Sequence, residues 1–221
     1  MLIAVAAEKG GVGKTTISTN LAGVRATQGH SVAVVDTDVD ETKGRYAYAW
    51  CSARKDQPAA AQLNAYMLRG EDIYNPLLSY KEMFDTVIVD LPAGNSVELR
   101  LACAAADVVV IPLRVGQYDT NGLSTMLSVA NEWRQTRPEV RFLAVLSDVP
   151  FNAVSDLRDS VEMLDGVAQY VTRTRRHIVG RQAFRNSARA GLAVTELSKS
   201  QGRDPKADAD LLSLYEEVFN D

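Results

Sequence analysis

The sequence predicts an α/β fold, with a mostly parallel, twisted sheet and helices on both of its faces. Three observations support this. Short β-branched runs alternate with helical patterns, the runs are apolar almost throughout, and 221 residues suffice for one sizeable core. Strands that are covered on both faces lose the alternation of apolar and polar residues typical of half-exposed strands. Because no repeat or long linker interrupts the pattern, we expect one domain over residues 1–221.

The predicted elements follow one another along the chain. LIAVAA at residues 2–7 is the first strand, and the next helix, residues 14–28, ends before Gly29, a residue typical of helix C-termini. Further strands are predicted at 31–36, 86–90, 107–113 and 141–147, and helices at 121–136, 154–164 and 205–218. Residues 41–82 are the least regular part. Within them YAYAW, residues 46–50, should pack as a helix, and residues 52–62 should form a mobile excursion.

Composition and charge narrow the class of protein. A net charge of −4 excludes a uniformly basic surface, so any nucleic acid would have to bind at a local patch. Cys51 and Cys103 lie far apart without CxxC spacing, which argues against a zinc site and fits a reducing cytosol. The chain opens on a strand rather than a signal peptide, and no apolar run approaches the roughly 18 residues of a membrane span. We therefore expect a cytoplasmic protein.

A phosphate-binding loop is predicted in AVAAEKGGVGKTTISTN, residues 4–20. Gly13, Lys14 and Thr15 fit the end of the pattern G-x-x-x-x-G-K-[ST], but Glu8 stands where its first glycine belongs. The loop lies between a strand and a helix, as the motif requires. Its glycines let successive N–H groups turn towards phosphate oxygens, and the helix N-terminus favours the same anions. The sequence therefore predicts a bound nucleotide phosphate together with Mg²⁺.

The loop residues have distinct expected roles. Lys14 should reach the β- and γ-phosphates, the Thr15 hydroxyl should ligate Mg²⁺, and Thr16 should bond the α-phosphate. The expected phosphate-binding set of the loop is Gly10, Gly11, Val12, Gly13, Lys14, Thr15 and Thr16.

Carboxylates follow two further apolar strands. VVDTDVD supplies Asp36 and Asp38, and VIVDLPAG supplies Asp90 before a proline–glycine turn. Strand ends form the usual ligand edge of an open α/β sheet, and a carboxylate beside a phosphate loop typically holds Mg²⁺ through water. The alternative is that such residues cap helices. Three carboxylates after two strands favour the metal-site interpretation.

Three segments together resemble one family. KGGVGKTT (residues 9–16), VVDTDVD (34–40) and VIVDLPAG (87–94) resemble the deviant Walker A, A′ and B/switch II elements of the ParA/MinD ATPases. The resemblance covers nearly the whole chain, and small ParA-type partition ATPases without an N-terminal DNA-reading domain are the most similar branch. It implies a ParA-like ATPase domain over residues 1–221 that hydrolyses ATP to ADP and phosphate and forms a homodimer on ATP.

The resemblance also implies residue roles. Lys9 is similar to the signature lysine that crosses the dimer interface to the partner's phosphates, which adds Lys9 to the ATP-binding set of the loop. Asp38 is similar to the residue that orients the attacking water. The implied catalytic set is Lys9, Lys14 and Asp38, the metal set Thr15, Asp36 and Asp90, and the switch II set Pro92, Ala93 and Gly94, with Gly94 sensing the γ-phosphate. Val39 and Asp40 depart from the family, because partition members usually carry proline and glutamine there.

A local basic patch is predicted near the C-terminal end. Residues 166–195 contain no Asp or Glu, and Arg181, Arg185 and Arg189 are spaced so that a helix would carry them on one face. Such a stripe predicts non-specific contact with the DNA backbone. The full candidate set is Arg173, Arg175, Arg176, Arg181, Arg185 and Arg189. Two alternatives remain open: a solvated face or pairing with acids from elsewhere, and a role for a few of these residues in framing the adenine.

The expected function is ATP-driven partition of plasmid or chromosomal DNA on the bacterial nucleoid. In this cycle the ATP dimer binds DNA, and a cargo- or centromere-binding adaptor protein stimulates hydrolysis. One alternative is the same cycle with a protein compartment as cargo. Another is a small-molecule ligase or kinase, although no second-substrate constellation is found. A membrane-bound regulator is a weaker choice, because the acidic end DADLLSLYEEVFND would be repelled by anionic lipid.

Overall fold

The computed structural model describes residues 1–38, 45–116 and 120–219, with the backbone alone for residues 120–122. Val39 and Asp40 therefore lie outside the described residues. The strands are β1 (Leu2–Ala7), β2 (Val32–Asp36), β3 (Asn64–Met67), β4 (Thr86–Ala93), β5 (Val108–Leu113), β6 (Arg141–Leu146) and β7 (Thr172–Arg173). The helices are α1 (Lys14–Thr27), α2 (Tyr46–Lys55), α3 (Tyr74–Met83), α4 (Val97–Ala105), α5 (Thr120–Thr136), α6 (Val154–Asp165), α7 (Gln182–Ala190) and α8 (Pro205–Phe219).

The strands form one sheet in the order β3-β2-β4-β1-β5-β6-β7, and every described pair is parallel. The predicted α/β fold is confirmed. Parallel neighbours need a crossover between them, and the helices supply it. In the strand register Asp36 lies opposite Asp90, and Asp90 lies opposite Val5. The phosphate loop and both carboxylates therefore reach the same edge of the sheet.

Each face of the sheet is covered by its own hydrophobic core. One core joins β-strand residues to α1, α2, α7 and α8 through side chains such as Leu21, Trp50 and Leu211. The other joins the opposite face to α3, α4, α5 and α6 through Leu77 and Leu99 among others. The two-sided burial explains why the central strands carry apolar residues at successive positions.

The prediction of an irregular, mobile stretch at residues 52–62 is wrong for residues 52–55, which are helical. Helix α2 continues to Lys55, and the wider region also contains β3 and α3. These elements were missed because β3 is a four-residue edge strand with partly exposed side chains, and Pro76 falls in the first turn of α3, where proline is tolerated. The helical interpretation of residues 46–50 is confirmed, with Trp50 buried.

Helix ends agree with the predicted ends to within a residue or two. Helix α1 ends at Thr27, and Gly29 follows with a φ of 89°, the left-handed conformation that glycine adopts without strain. Strand β4 runs three residues beyond its predicted end, because Ala93 still pairs with Ala7 after a register shift. This extension carries switch II alongside the phosphate loop.

Candidate nucleotide site

The phosphate loop is shaped by glycines at its two sharpest points. Gly11 has a φ of 73° and Gly13 a φ of 93°, and Gly13 caps the N-terminus of α1. Both values lie in the left-handed region, which side chains other than glycine rarely adopt. The buried Val12 fixes the loop against the sheet, since its carbonyl accepts a hydrogen bond of 2.5 Å from the Ser147 hydroxyl. The exposed Gly10 and Gly11 leave the loop open towards a ligand.

Lys14 begins α1 and is largely buried. Its ammonium donates a long hydrogen bond of 3.4 Å to the carbonyl of Lys9. Burial lowers the pKa of Lys14, and the nearby Asp90 and Asp38 carboxylates partly oppose that shift. A phosphate placed in the loop would supply the full negative charge that this buried cation lacks. This is the role that the motif predicts for Lys14.

The residues that could hold a metal ion are hydroxyl groups hydrogen-bonded to one buried carboxylate. Asp90 accepts hydrogen bonds from the Thr15 hydroxyl at 2.7 Å and from the Ser18 hydroxyl at 2.9 Å. Burial raises the pKa of Asp90 to about 7, the neighbouring Asp36 adds to that effect, and the two hydroxyl bonds oppose it. A divalent cation would offset the cost of keeping this carboxylate charged, so the residues fit Mg²⁺.

Protein ligands alone do not complete a metal shell here. No group of three or more His, Cys, Asp or Glu side chains that could hold a metal occurs among the described residues. This pattern suits Mg²⁺, which commonly takes one or two protein ligands and completes its octahedron with phosphate oxygens and water. Thr15 and Asp90 are therefore the residues that would hold it.

Asp36 and Asp38 lie differently from each other. Asp38 lines a cavity beside the phosphate loop. Asp36 is 1% exposed, and its carboxylate accepts hydrogen bonds from the backbone N–H groups of Asp38 at 3.1 Å and Tyr48 at 3.0 Å. Burial raises the pKa of Asp36, while these amide bonds counter the rise. The alternative interpretation from the sequence was that a carboxylate at a strand end caps a helix. That interpretation describes the contact of Asp36 with the N–H of Tyr48 in α2.

The predicted switch II residues lie at the extended end of β4, with Pro92 and Ala93 inside the strand and Gly94 directly after it. Ala93 lines the cavity, and Gly94 adopts a φ of 97° that only glycine takes easily. The N–H of Gly94 donates to the carbonyl of Ala7 at 3.3 Å, which holds the turn against the start of the phosphate loop. Pro92 precedes it as the partly exposed penultimate residue of β4. The three predicted switch II residues are therefore brought beside the loop.

A cavity of about 790 Å³ joins these parts. Its walls include the phosphate loop, Asp38, the start of α2, and one face of α7. On α2 the lining positions are Tyr46, Ala49, Trp50 and Ala53, a spacing that places them on a single helix face. The cavity therefore extends from the phosphate loop to α2 and α7.

One part of the cavity wall was missed by the sequence reasoning. Ser147, Asp148, Val179 and Gly180 line it. Asp148 has a φ of 51° and forms an ion pair of 2.6 Å with Arg114, and a Cβ at Gly180 would lie 2.6 Å from the Asp148 carboxylate. One available signal was the position of Asp148 directly after an apolar strand. Gly180 gave no signal in the sequence, because its neighbour is distant along the chain.

The six candidate arginines divide into two groups. Asp165 pairs with Arg173 at 2.8 Å, and Asp204 and Asp210 pair with Arg181 at 3.4 and 3.3 Å. Acids from α6, from α8 and from the residue before α8 thus approach residues 166–195, a segment that contains no acid of its own. Arg175, Arg176, Arg185 and Arg189 are exposed, and of these Arg175 lies 3.9 Å from Glu217.

Helix α7 begins at Gln182, with Arg181 as its N-cap. The expected face is nevertheless formed, because Arg181, Arg185 and Arg189 all line the cavity. Within the described part of the chain no acidic side chain pairs with Arg185 or Arg189, and Arg185 donates only to Gln182 at 3.3 Å.

Comparison with known proteins identifies the family. The family model of the CobQ/CobB/MinD/ParA nucleotide binding domain matches residues 3–198. The chain belongs to this family. It is a ParA/MinD-type P-loop ATPase, for which ATP and Mg²⁺ are the cofactors. The resemblance carried by residues 9–16, 34–40 and 87–94 is therefore confirmed at the level of the family.

Relatives extend over most of the chain. The Maintenance of carboxysome distribution protein A of Halothiobacillus neapolitanus is 30% identical over 206 residues, covering 91% of this chain and 89% of that protein. The chromosome-partitioning ATPase Soj of Thermus thermophilus is 28% identical over 173 residues, covering 65% and 67%. The ParA/MinD-type ATPase is thus related to positioning proteins with different cargoes.

Solved structures share the fold. The ATP complex of McdA from Cyanothece has a TM-score of 0.72 at 16% identity and covers 98% of this chain and 95% of that one. The MinC:MinD complex of Aquifex aeolicus has a TM-score of 0.71 at 15% identity, with 100% and 96% covered. Proteins of the MinD/ParA family dimerise on ATP and interact with adaptor partners. Among the residues described here, no helix is both long and apolar enough to cross a membrane.

Proposed function

We propose that this ATPase positions a cargo by a nucleotide-driven cycle on DNA. ATP joins two subunits, the dimer binds DNA non-specifically through arginines, and a cargo-bound adaptor stimulates hydrolysis, which releases the DNA. One observation carries the proposal: the phosphate loop and the arginine face of α7 line the same cavity. We therefore expect a change of nucleotide to alter the wall that carries Arg185 and Arg189.

The hydrolysis step is phosphoryl transfer to water, in which positioning and charge stabilisation dominate. Bound Mg²⁺ supplies charge neutralisation at the phosphates. Lys14 holds the β- and γ-phosphates, Asp38 orients the attacking water, and Thr15 with Asp90 forms the protein side of the metal site. Lys9 reaches the phosphates of the second subunit, so that hydrolysis depends on dimerisation.

The DNA surface rests mainly on the arginines that lack strong ion pairs. Arg185 and Arg189 are exposed on one face of α7, and Arg175 and Arg176 are exposed nearby in the chain. Arg173 and Arg181 are held by carboxylates, so they contribute positive charge with less freedom to reach a phosphate. Phosphate contacts of this kind carry no sequence preference, so the proposal is binding to the DNA backbone of the nucleoid.

The first experiment measures retention of the protein on DNA with ATP, with ADP and without nucleotide, at several salt concentrations. The double variant Arg185→Glu/Arg189→Glu should lose retention and show a shallower salt dependence, because fewer counterions are released. Arg158→Glu is the matched control, since Arg158 is an exposed arginine of α6 outside the cavity. Equal retention in all three nucleotide states would contradict the cycle, and unchanged retention by the double variant would move the DNA surface elsewhere.

The cargo is proposed to be plasmid or chromosomal DNA, with a centromere-binding adaptor. A protein compartment is the second candidate, and the name of the Halothiobacillus relative supports it, since that relative matches nearly the whole chain. Asp38→Ala should trap the ATP dimer, so immobilised Asp38→Ala with ATP should capture the adaptor. A captured protein that binds a specific DNA site favours DNA partition, and one that assembles with a compartment favours the second candidate.

A small-molecule ligase remains the third candidate, because cobyrinic acid a,c-diamide synthase of Mycobacterium smegmatis shares the fold with a TM-score of 0.61 at 21% identity. ATP turnover that rises with a metabolite and ignores DNA would favour it over the positioning cycle.

A further inference from the structure

The carboxylate of Asp36 joins two chain segments that are ten residues apart. It lies at the end of β2 and is 1% exposed. One oxygen accepts the N–H of Asp38 at 3.1 Å, and the other accepts the N–H of Tyr48 at 3.0 Å. Both oxygens of this buried group are therefore engaged by backbone amides.

The contact with Tyr48 provides an acceptor for one N–H of the first turn of α2. The first N–H groups of a helix have no partner within the helix and need acceptors from outside. The N-cap residue of α2, Arg45, provides no side-chain acceptor, and Tyr48 is the third residue of the helix. Asp36 supplies the acceptor from a neighbouring strand, and the positive end of the helix dipole stabilises its charge.

The contact with Asp38 fixes a residue of the nucleotide site. Asp38 lines the cavity, as do Tyr46 and Ala49 in the first turn of α2. Since Asp36 binds the amide of Asp38 and the amide of Tyr48, it fixes both of them relative to the end of β2. A single carboxylate thus sets the distance between the residue that orients water and the adjacent wall of the cavity.

Whereas Asp36 binds backbone amides, Asp90 binds side-chain hydroxyl groups. Its oxygens accept hydroxyl groups, one of them the Thr15 hydroxyl that the motif assigns to Mg²⁺. A hydroxyl can turn a lone pair towards a metal and still donate its proton to Asp90. Asp36 binds amides that have no such lone pair to offer. The two carboxylates face each other in the sheet register but serve different groups.

We propose that Asp36 is a positioning residue of the ATPase that acts through Asp38 and α2, and that it is not a magnesium ligand. This assignment differs from the one that the family resemblance implies for Asp36. It rests on the proposed role of Asp38 in ATP hydrolysis and is independent of the proposed binding to DNA.

The first test measures hydrogen exchange of single backbone amides in the nucleotide-free protein by NMR. Asp36→Asn keeps the shape of the side chain but only one acceptor oxygen, so it should lose protection at either Asp38 or Tyr48. Asp36→Ala should lose protection at both. Amides of the strand core, such as that of Val34, should exchange as in the wild type. Unchanged protection at both amides in either variant would overturn the proposal, whether or not the protein hydrolyses ATP.

The second test separates positioning from metal binding by kinetics. Misplacing a catalytic group by about 1 Å can cost about 100-fold in rate. We therefore expect kcat to fall by about 10- to 100-fold in Asp36→Ala and less in Asp36→Asn, with the half-saturating Mg²⁺ concentration unchanged. Asp90→Asn is the comparison variant, and its half-saturating Mg²⁺ concentration should rise by about 10-fold or more. If Asp36→Asn raises the Mg²⁺ requirement as much as Asp90→Asn does, Asp36 is a metal ligand and the proposal fails.

The tests still decide the role of Asp36 if one of the variants does not fold. If Asp36→Ala does not fold, Asp36→Asn alone decides, because loss of one amide with an unchanged Mg²⁺ requirement supports positioning. Absence of ATP turnover in the wild-type protein would refute the proposed function but would leave the amide-exchange result to decide the role of Asp36.

Discussion

Replacing Asp90 with asparagine should remove a large part of the pH dependence of stability in the nucleotide-free protein. The carboxyl group is buried, and its pKa is raised from 3.8 to about 7, chiefly by burial. The folded state therefore holds this proton more tightly than the unfolded state does. For an acid with a raised pKa, stability falls as the pH rises from the unfolded value to the folded one, and it changes no further above that.

The size of the effect follows from the two pKa values. A difference of about 3 between them corresponds to about 4 kcal/mol in total, of which about 2–3 kcal/mol falls between pH 5 and pH 8. Asparagine resembles the protonated carboxyl group, and its amide exchanges hydrogen bonds with the Thr15 and Ser18 hydroxyls in a similar way. The variant should therefore be about 1–2 kcal/mol more stable than the wild type at pH 5 and about 4 kcal/mol more stable at pH 8.

The measurement is urea unfolding at half-unit pH steps from 5 to 8, without nucleotide or Mg²⁺. Asp56→Asn is the charge control, because Asp56 is exposed directly after α2. The stability difference between Asp90→Asn and the wild type should grow through this range. A difference that stays constant with pH would refute the reasoning and would mean that Asp90 stays charged in the folded protein at pH 5.

Three further predictions concern the loop lysines, a buried ion pair and a glycine. Lys14→Ala should weaken ATP binding itself. Lys9→Ala should retain much of the binding but lose hydrolysis and the ATP dimer. Calorimetry measures the binding, and light scattering measures the dimer. Arg54 is 1% exposed and forms a bidentate pair with Glu196 at 2.7 Å. Arg54→Ala should lower the free energy of unfolding in urea by about 3–5 kcal/mol. Arg54→Met/Glu196→Leu should lower it much less, because the double variant leaves no unpaired buried charge. Equal losses in the two variants would contradict this reasoning. Gly191→Ala should destabilise by about 2 kcal/mol or more, since its φ is 67° and a Cβ would lie 2.5 Å from the Arg54 nitrogen. Gly29→Ala, with a similar φ and open space, is its control and should lose less.

The phosphate site was predictable because its parts are local in sequence. Lys14, Thr15 and the glycines of the loop are adjacent, and the strand-to-helix context fixes how their groups point. Asp90 was predictable because an apolar strand delivers its last residues to a known edge of the sheet. The cavity wall at Asp148 and Gly180 was not predictable, since the close approach of these residues depends on how two distant loops pack.

The arginine window illustrates the same division. The sequence shows a segment without acids, and only the fold brings Asp204 and Asp210 of the chain's last part to Arg181. Ion pairs between distant residues depend on packing, which periodicity does not describe. The same is true of Arg54, whose partner Glu196 lies 142 positions away.

By itself the sequence determined the α/β fold, the phosphate loop with Glu8 at the usual first glycine and Lys9 beside it, and the family of the ATPase. These follow from hydrophobic periodicity and short motifs, which act over a few residues. The tertiary structure decided which arginines are held by acids and that α7 shares a cavity with the loop. It also decided that Asp36 binds two amides. Each of these depends on distances of a few ångströms between elements far apart in the chain, and only packing sets such distances.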